Sequence, residues 1–395
     1  MGLINGFSLS VAFSALSTLI VVPILVGTLG AGTWSVIALG QSIGAIAAVA
    51  VGWGWSLSGT PSLSRATNDA QRYQIVVEAS TPRFVIFMLT LIVGAGVGLL
   101  TAPETPWLAT ISAVAYGAQG LSLGWAFVGL GRGWQYAAID TLPRVALTIA
   151  GSFATAWFGA WIFPVAVLAG YLACWSIAAV VLRRSLLADG TFWSPLKSMP
   201  RSLKAHVPGL LNDLPSSIYL AMPLVAVSVL APMQLANFAL LDRLGRSVKA
   251  VVYPFVQVHQ HRVFSATDFD EAARKSVQFF RVFGVVVAVL FVPMAFVGGP
   301  LLAHGTIHLS LALVSTYAVG LGLAVASMGT GWIALVGSLK LRALATSTLV
   351  SASTALVLLL PLTLIGGGVG AALVVVTAEA IAHVLQSIAY ARSRD

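Results

Sequence analysis

Four charged side chains lie within eight residues of the stretch LLDRLGRSVKAVVYPF: Asp242, Arg243, Arg246 and Lys249. The sequence on either side is mostly apolar, which predicts a membrane-spanning helix in which charges need a partner or a wet cavity. At 100° per residue, Asp242, Arg246 and Lys249 fall within about 60° of one another on that helix. The stripe is net positive, and arginine and lysine side chains both bind phosphate oxygens. We therefore predict that Arg243, Arg246 and Lys249 bind an anionic substrate.

Further charges lie inside other apolar segments. Asp140 and Arg144 are four residues apart and can pair along one helix. Asp242 stands in the same relation to Arg246, and Asp213 is a third acid in an apolar segment. We assign the three aspartates to ion pairs that orient basic side chains, and Arg144 to the substrate-binding set. The alternative is that the charges only pair with each other, or that their side chains extend to the membrane surface.

An acid and a histidine occur together in the last apolar segment, TAEAIAHVLQS. Glu379 and His383 are four residues apart. A buried acid beside a histidine could carry protons or bind Na⁺, which would couple transport to an ion gradient. A hydrogen-bonded structural pair is the alternative interpretation.

No cofactor site is predicted. The chain lacks a G-x-x-x-x-G-K-[ST] phosphate loop, so we expect no ATP hydrolysis by the chain itself. The pairs His259/His261 and His304/His308 have no further Cys or His nearby, so we expect no metal site. No arrangement of a nucleophile and a base is visible, which predicts that the protein is not an enzyme.

Composition places the chain in a membrane. Its 395 residues are 58% hydrophobic and 8% charged, whereas a typical soluble domain is about 25% charged. A membrane-spanning helix needs roughly 20 apolar residues, so the length allows about twelve spans with short loops. The net charge of +9 is spread between apolar segments, and no nucleic-acid-binding motif occurs. We therefore expect no nucleic-acid partner.

Twelve spans can be drawn, approximately at 4–28, 33–57, 83–101, 106–130, 137–160, 163–183, 208–230, 233–257, 277–298, 308–336, 343–364 and 368–390. Lys and Arg collect in every second loop and in the C-terminal tail, whereas the opposite loops hold only Glu104 as a charged residue. Cytoplasmic loops are enriched in Lys and Arg, so both termini are predicted to be cytoplasmic. The basic loops include the hydrophilic stretches 58–83, 183–207 and 258–281.

The segment 184–207 lies midway and predicts a cytoplasmic linker between two lobes of six helices, 1–183 and 208–395. A weak internal repeat supports this division, because VVPILVGTLGAG at 21–32 and AMPLVAVSVLAP at 221–232 share a proline in register. Two matching halves are a common plan among transporters. The predicted fold is an all-α integral membrane protein.

Several segments together resemble the bacterial polysaccharide flippases of the O-antigen type, within the multidrug/oligosaccharidyl-lipid/polysaccharide (MOP) exporter superfamily. The resemblance rests on VVPILVGTLGAGTWSVIALGQSIG at 21–44, GWGWSLSGTPSLSRA at 52–66, WAFVGLGRGWQYAAIDTLPRVALTIAG at 125–151, ANFALLDRLGRSVKAVVYPFVQVHQHRV at 236–263 and AEAIAHVLQSIAY at 378–390. Members of the superfamily often carry basic residues in the first span or its flank, whereas residues 1–64 here contain none. This departure assigns phosphate binding instead to the basic residues of the fifth and eighth spans.

This resemblance implies a V-shaped, pseudo-symmetric pair of six-helix lobes that works by alternating access around a cationic cavity. It implies transport of an undecaprenyl-diphosphate-linked oligosaccharide from the inner to the outer leaflet of the bacterial cytoplasmic membrane, for cell-surface polysaccharide biosynthesis. The implied partners are membrane lipids and a polysaccharide polymerase or glycosyltransferases. Arg243, Arg246 and Lys249 match the charged eighth span of the family.

Two other functions fit parts of the sequence. A cation-coupled multidrug exporter of the same superfamily would need acidic and aromatic walls to hold organic cations, and the positive eighth span argues against it. A membrane polysaccharide polymerase or ligase ranks third, because such enzymes would be expected to carry large outer loops with catalytic residues. The outer loops of this chain are short and contain only Glu104 as a charged residue.

Overall fold

The computed structural model describes residues 2–102, 104–186, 191–264 and 266–392, and within these ranges the chain is helical without any β-strand. The α-helices of these residues are α1 (Gly2–Gly52), α2 (Trp55–Arg65), α3 (Asp69–Thr101), α4 (Pro106–Gly117), α5 (Gly124–Gly129), α6 (Gly133–Gln135), α7 (Leu142–Phe158), α8 (Ile162–Ser185), α9 (Met199–Leu230), α10 (Leu235–Phe264), α11 (Phe269–Leu302), α12 (Leu311–Met328) and α13 (Leu341–Ala391). Short 3-10 turns occur at Ala118–Leu121, Leu196–Ser198 and Pro232–Gln234, and π-helical segments at Tyr136–Thr141 and Gly329–Leu335. The prediction of an all-α protein is confirmed.

The two 51-residue helices, α1 and α13, each contain one non-helical residue. Gly30 has φ 81° and Gly367 has φ 55°, which are left-handed values that glycine adopts without strain. A methyl group on Gly370 would overlap the carbonyl oxygen of Leu362, so the two arms of α13 fold tightly against each other. Gly30 lies in the short glycine turn between the predicted spans 4–28 and 33–57, and Gly367 lies in the one between 343–364 and 368–390.

Among the residues that the structure describes, eight helical segments are long and apolar enough to cross a membrane. Two of them, Ser17–Gly52 and Arg342–Ala391, contain the glycine kinks, so each includes parts of two predicted spans. The fifth and eighth predicted spans correspond to α7, which is short, and to α10, which holds the charge stripe. The helices of the described residues therefore account for the predicted multi-pass arrangement.

The predicted hydrophilic loops are largely helical. α2 and the start of α3 occupy most of 58–83, and α10 and α11 extend into 258–281 from either side. Arg83, which the sequence places at the end of a basic loop, lies inside α3 and is only 3% exposed. The polar composition of these stretches predicted loops in contact with water. The helices continue through them because a helical backbone satisfies its own hydrogen bonds.

The chain divides into two compact units, Met1–Ser217 and Ile218–Asp395. In the first unit, Trp55, Leu63, Phe127 and Leu182 belong to one buried cluster. In the second unit, the buried cluster joins one face of α9 to both arms of α13 through Ala226, Ala355, Leu359, Val374 and Ala378. The division falls within α9, after the predicted linker 184–207.

The predicted linker packs against the first unit. The Trp53 indole donates to the Leu203 carbonyl oxygen over 3.0 Å, and the Ser202 hydroxyl donates to the Glu78 carbonyl oxygen over 3.3 Å. Beyond it, Gly54 and Gly209 approach so closely that a Cβ on either would lie within 2.8 Å of the other's backbone. The start of α9 is therefore a fixed part of this unit.

His206 gives this contact a pH dependence. Its Nδ1 lies 2.5 Å from the Ser58 hydroxyl, and its ring centre lies 3.6 Å from that of Trp55. Burial lowers the pKa of His206 below its ordinary value, so the docked segment is fully stable above about pH 6.5 and loses stability as the pH falls below that value. We expect backbone amides of 199–210 to lose hydrogen-exchange protection between about pH 7.5 and 5, after correction for intrinsic rates.

The control is a pair of glutamine variants. His206→Gln should remove this pH dependence, whereas His308→Gln, at an exposed histidine, should retain it. Equal pH dependence in wild type and His206→Gln would contradict the assignment.

Candidate functional site

The charge stripe lies on α10 in the second unit. The Arg246 Nε donates to Asp242 Oδ2 over 2.7 Å, with 40% of the arginine side chain and 16% of the aspartate side chain exposed. The pairing predicted from the four-residue spacing is present. The acid therefore holds one edge of the guanidinium, while the rest of the side chain keeps a partly open surface.

Tyr317 of α12 fixes the same aspartate from the opposite side. Its hydroxyl donates to Asp242 Oδ1 over 3.3 Å. The ring is 8% exposed and packs edge-on against Phe238 and stacked against Phe291. Asp242 is thus held through both of its oxygens, which orients Arg246. The sequence carried no signal for this tyrosine, because α10 and α12 are brought together only by tertiary packing.

Gly245 allows Tyr317 to lie across α10. A Cβ at this position would lie 2.6 Å from Tyr317 Cε1 and 2.7 Å from its hydroxyl oxygen. We expect Gly245→Ala to reduce the free energy of unfolding by about 1–3 kcal/mol, because overpacking must displace the ring. Thermal unfolding in detergent, followed by intrinsic tryptophan fluorescence, measures this effect. Gly298→Ala is the matched control, because open space surrounds that helical glycine, and an equal loss in both variants would contradict the argument.

Lys249 and Arg243 lie on the same helix with half-buried side chains. Lys249 is within electrostatic range of Glu379 on α13. Glu379 is 6% exposed, and its Oε1 accepts a hydrogen bond of 3.0 Å from the Tyr219 hydroxyl of α9. Three helices of the second unit therefore place an acid, a phenol and an ammonium group around one buried position.

Glu379 and His383 have different neighbours in the described structure. No hydrogen bond joins them, and the buried Nδ1 of His383 has no hydrogen-bond partner among the described residues. The nearby charge is that of Arg281 on α11. A shared proton or ion at this acid and histidine remains a prediction.

Arg144 lies in the first unit, near the start of α7. Its guanidinium carbon is 5.5 Å from the centre of the Tyr171 ring, which is a cation–π contact, and its Nη2 donates to the Ser14 hydroxyl over 3.2 Å. The Tyr171 hydroxyl in turn donates to Gln119 Oε1 over 3.3 Å. The arginine is thus held by an aromatic face and a hydroxyl.

Asp140 does not form the predicted ion pair with Arg144. Its Oδ1 accepts a hydrogen bond of 2.5 Å from Ser122, and no salt bridge joins this carboxylate to Arg144 in the described part of the chain. Asp140 belongs to the π-helical segment Tyr136–Thr141. The wider π turn shifts the four-residue spacing, so the two side chains no longer align.

Arg83 is the buried charge that sequence reasoning misplaced. Its guanidinium donates to two backbone carbonyls, that of Gly120, to which Nε is 3.0 Å away, and that of Ser122, to which Nη2 is 2.7 Å away. These carbonyls follow the end of α4, where the 3-10 turn leaves them without helical partners. Because Ser122 also holds Asp140, Arg83 positions the loop on which that carboxylate depends. The apolar run that directly follows Arg83 in the sequence could have indicated that this arginine lies in a helix rather than in a loop.

The structure groups the predicted site residues within each unit. Arg144 and Asp140 lie near one another in the first unit, and Asp213 of α9 also belongs to that unit. The second unit holds the α10 stripe and the acid and histidine of α13. The substrate-binding set predicted from the sequence, Arg144 with the basic residues of α10, therefore draws on both units.

Metal ligands are not clustered in the described part of the chain. No group of three or more His, Cys, Asp or Glu side chains there has a geometry that could hold a metal ion. His259 instead stacks on Phe279 at 4.6 Å and lies 3.0 Å from the Ser276 hydroxyl.

Comparison with known proteins identifies the fold. No family model and no curated protein sequence matches the chain. Among solved structures, the chain is similar to the lipid II flippase MurJ in an inward closed conformation, with 14% identity, a TM-score of 0.73 and coverage of 97% of this chain and 87% of that one. It is also similar to an inward-facing multidrug resistance MATE family transporter of the MOP superfamily, with 16% identity, a TM-score of 0.64 and coverage of 96% and 95%.

A eukaryotic MATE transporter, AtDTX14, is similar over 98% of this chain and 96% of its own, with 13% identity and a TM-score of 0.54. These similarities extend over almost the whole chain at low identity, so they concern the fold. The protein therefore has the helical fold seen in the lipid II flippase MurJ and in MATE family transporters.

Proposed function

We propose that the protein is a flippase that moves an undecaprenyl-diphosphate-linked oligosaccharide from the inner to the outer leaflet by alternating access. The observation that carries the proposal is the net positive stripe on α10, with Arg246 oriented by the doubly held Asp242. A diphosphate presents pairs of phosphoryl oxygens that the planar arginine fork can bind with two parallel hydrogen bonds. The similarity to a lipid II flippase supports a lipid-linked substrate.

The geometry suits a substrate that must be released after it is bound. Asp242 neutralises part of the Arg246 charge, so the arginine would bind a phosphate less tightly than an unpaired guanidinium and release it more readily. Lys249 supplies a second positive charge, which interacts electrostatically with the carboxylate of Glu379 and is partly neutralised by it. Binding sites that carry a substrate across a membrane must be favourable enough to load and weak enough to unload, by the same reasoning that applies to ion pores.

Purified protein in liposomes tests this function. A labelled undecaprenyl-diphosphate-linked oligosaccharide would be incorporated on one face, and the fraction accessible to an external glycan-modifying reagent would be followed over time. We expect translocation well above that of protein-free liposomes. Equal rates in both preparations, with the protein shown to be folded, would contradict the proposal.

A cation-coupled multidrug exporter is the second candidate. The observations that favour it are two acids in the lobes, Asp140 at 7% and Glu379 at 6% exposure, and the similarity to multidrug resistance MATE transporters. Susceptibility of an overexpressing strain to organic cations separates the two functions. The flippase proposal predicts unchanged susceptibility, whereas increased resistance that is lost in Glu379→Gln would favour the exporter.

A further inference from the structure

A basic cavity lies between α11 and the end of α13 in the second unit. Its volume is about 390 Å³, and its lining residues are Arg274, Val277, Gln278, Arg281, Ser387, Tyr390 and Ala391. None of these lining residues is acidic. The cavity lies outside the α10 stripe, so it is separate from the proposed transport site.

Helical periodicity directs both arginines into the cavity. Arg274 and Arg281 are seven residues apart on α11, with Gln278 between them on the same face. Ser387 and Tyr390 are three residues apart on the facing side of α13. Arg281 Nη2 donates to the Ser387 hydroxyl over 3.2 Å and so bridges the two helices.

The π-helical segment Gly329–Leu335 packs on both helices that line the cavity. A Cβ on Gly329 would lie 2.6 Å from Phe280 Cβ of α11. A Cβ on Gly331 would lie 2.8 Å from Gln386 Oε1 of α13. Each helix therefore packs directly on this segment beside its cavity-lining residues, which gives the groove a fixed width.

An exposed apolar strip continues directly from the cavity. Val285, four residues after Arg281, is 64% exposed, and Val289, four residues further, is 63% exposed. On α13, Val384 lies three residues before Ser387 and is 53% exposed. Apolar exposure of this kind on a membrane-spanning helix is a lipid-facing surface, so the cavity sits where head groups meet acyl chains.

We propose that this cavity binds the head group of an anionic phospholipid, with an acyl chain along the valine strip. Two guanidinium groups without a lining acid match a phosphodiester, while Ser387 and Gln278 can bond the hydroxyls of a glycerol head group. Clusters of Lys and Arg near a bilayer surface attract anionic lipids. Because the loops on this side are the basic ones, the lipid belongs to the predicted cytoplasmic leaflet.

Native mass spectrometry of the full-length protein tests this site. The protein in detergent would be mixed with equal amounts of phosphatidylglycerol and phosphatidylcholine, and bound lipids counted without any transport substrate. We expect the wild type to retain phosphatidylglycerol in preference to phosphatidylcholine. In the double variant Arg274→Ala, Arg281→Ala, the ratio of bound phosphatidylglycerol to bound phosphatidylcholine should be about tenfold lower. Retention of wild-type selectivity by this variant would overturn the proposal.

The matched control is Lys340→Ala, Arg342→Ala, which removes the same charge from the same predicted side outside the cavity. This variant should keep the wild-type selectivity for phosphatidylglycerol. An equal loss of selectivity in both double variants would show that the lipid responds only to the overall positive charge of the protein, and it would overturn the proposed site. An excess of glycerol 3-phosphate should leave the lipid bound. Complete displacement by this soluble anion would assign the cavity to free phosphates instead.

A second measurement uses the unaltered protein, so it does not depend on the folding of any variant. Phosphatidylglycerol with a photoactivatable diazirine in its acyl chain should crosslink to peptides that contain 282–290. Adducts confined to other helices would overturn the proposal. Both lipid measurements are independent of translocation, so failure of the flippase assay leaves their result unchanged.

Discussion

Replacing Arg246 by alanine is expected to reduce translocation of the lipid-linked oligosaccharide by at least about tenfold, because the substitution removes a charge-assisted interaction with a phosphate. The variant also leaves Asp242 without its 2.7 Å partner, so the stripe loses one of its three positive charges and attracts the diphosphate less strongly. The liposome translocation assay measures the loss directly. Complementation of a flippase-deficient strain is the cellular counterpart, provided that expression is unchanged.

Two further variants separate the role of Arg246 from general loss of charge. Arg246→Lys keeps the charge but lacks the planar fork, so we expect partial activity. Arg262→Ala removes an exposed arginine from the end of the same helix and should translocate at the wild-type rate. Normal translocation by Arg246→Ala would remove this residue from the substrate-binding set.

Replacing Arg83 by alanine is expected to reduce the free energy of unfolding by on the order of 3 kcal/mol, because the carbonyls of Gly120 and Ser122 would be left buried without donors. The single cysteine provides a built-in probe. Cys174 is buried in the same unit, and its thiol donates to the Asp140 carbonyl oxygen over 3.3 Å. A thiol-reactive fluorogenic dye should therefore label Arg83→Ala at a lower temperature than the wild type.

Arg72→Ala is the matched control for this prediction. Arg72 lies on the same helix, and its ion pair with Asp69 is exposed. Such pairs contribute about 0–1 kcal/mol, so the labelling temperature should hardly change. The labelling temperature of Arg83→Lys should lie between those of Arg83→Ala and Arg72→Ala, because one ammonium group cannot reproduce the hydrogen bonds of the guanidinium fork to both carbonyls. A labelling temperature for Arg83→Ala equal to that of Arg72→Ala would show that the buried bonds do not stabilise the fold.

Spacing arguments succeeded where the helix is regular. Asp242 and Arg246 pair as predicted, because four residues make slightly more than one turn of α10. The same argument was wrong for Asp140 and Arg144, because a π-helical segment begins at Tyr136 and changes the number of residues per turn. Nothing in the local sequence marks that segment, which is accommodated by packing against the neighbouring helices.

The sequence alone determined that this is an all-helical membrane protein, that glycine turns near Gly30 and Gly367 separate paired spans, and that α10 carries a positive stripe. These properties follow from hydropathy, backbone freedom and helical periodicity, which are local to the chain. The tertiary structure alone decided which groups hold the charges: Tyr317 on Asp242, Tyr219 on Glu379, and backbone carbonyls on Arg83. Each partner comes from another helix or from a distant turn, and a low-dielectric interior requires every buried polar group to find one. The sequence lists the polar groups, but only packing of the helices sets which of them come within hydrogen-bond distance.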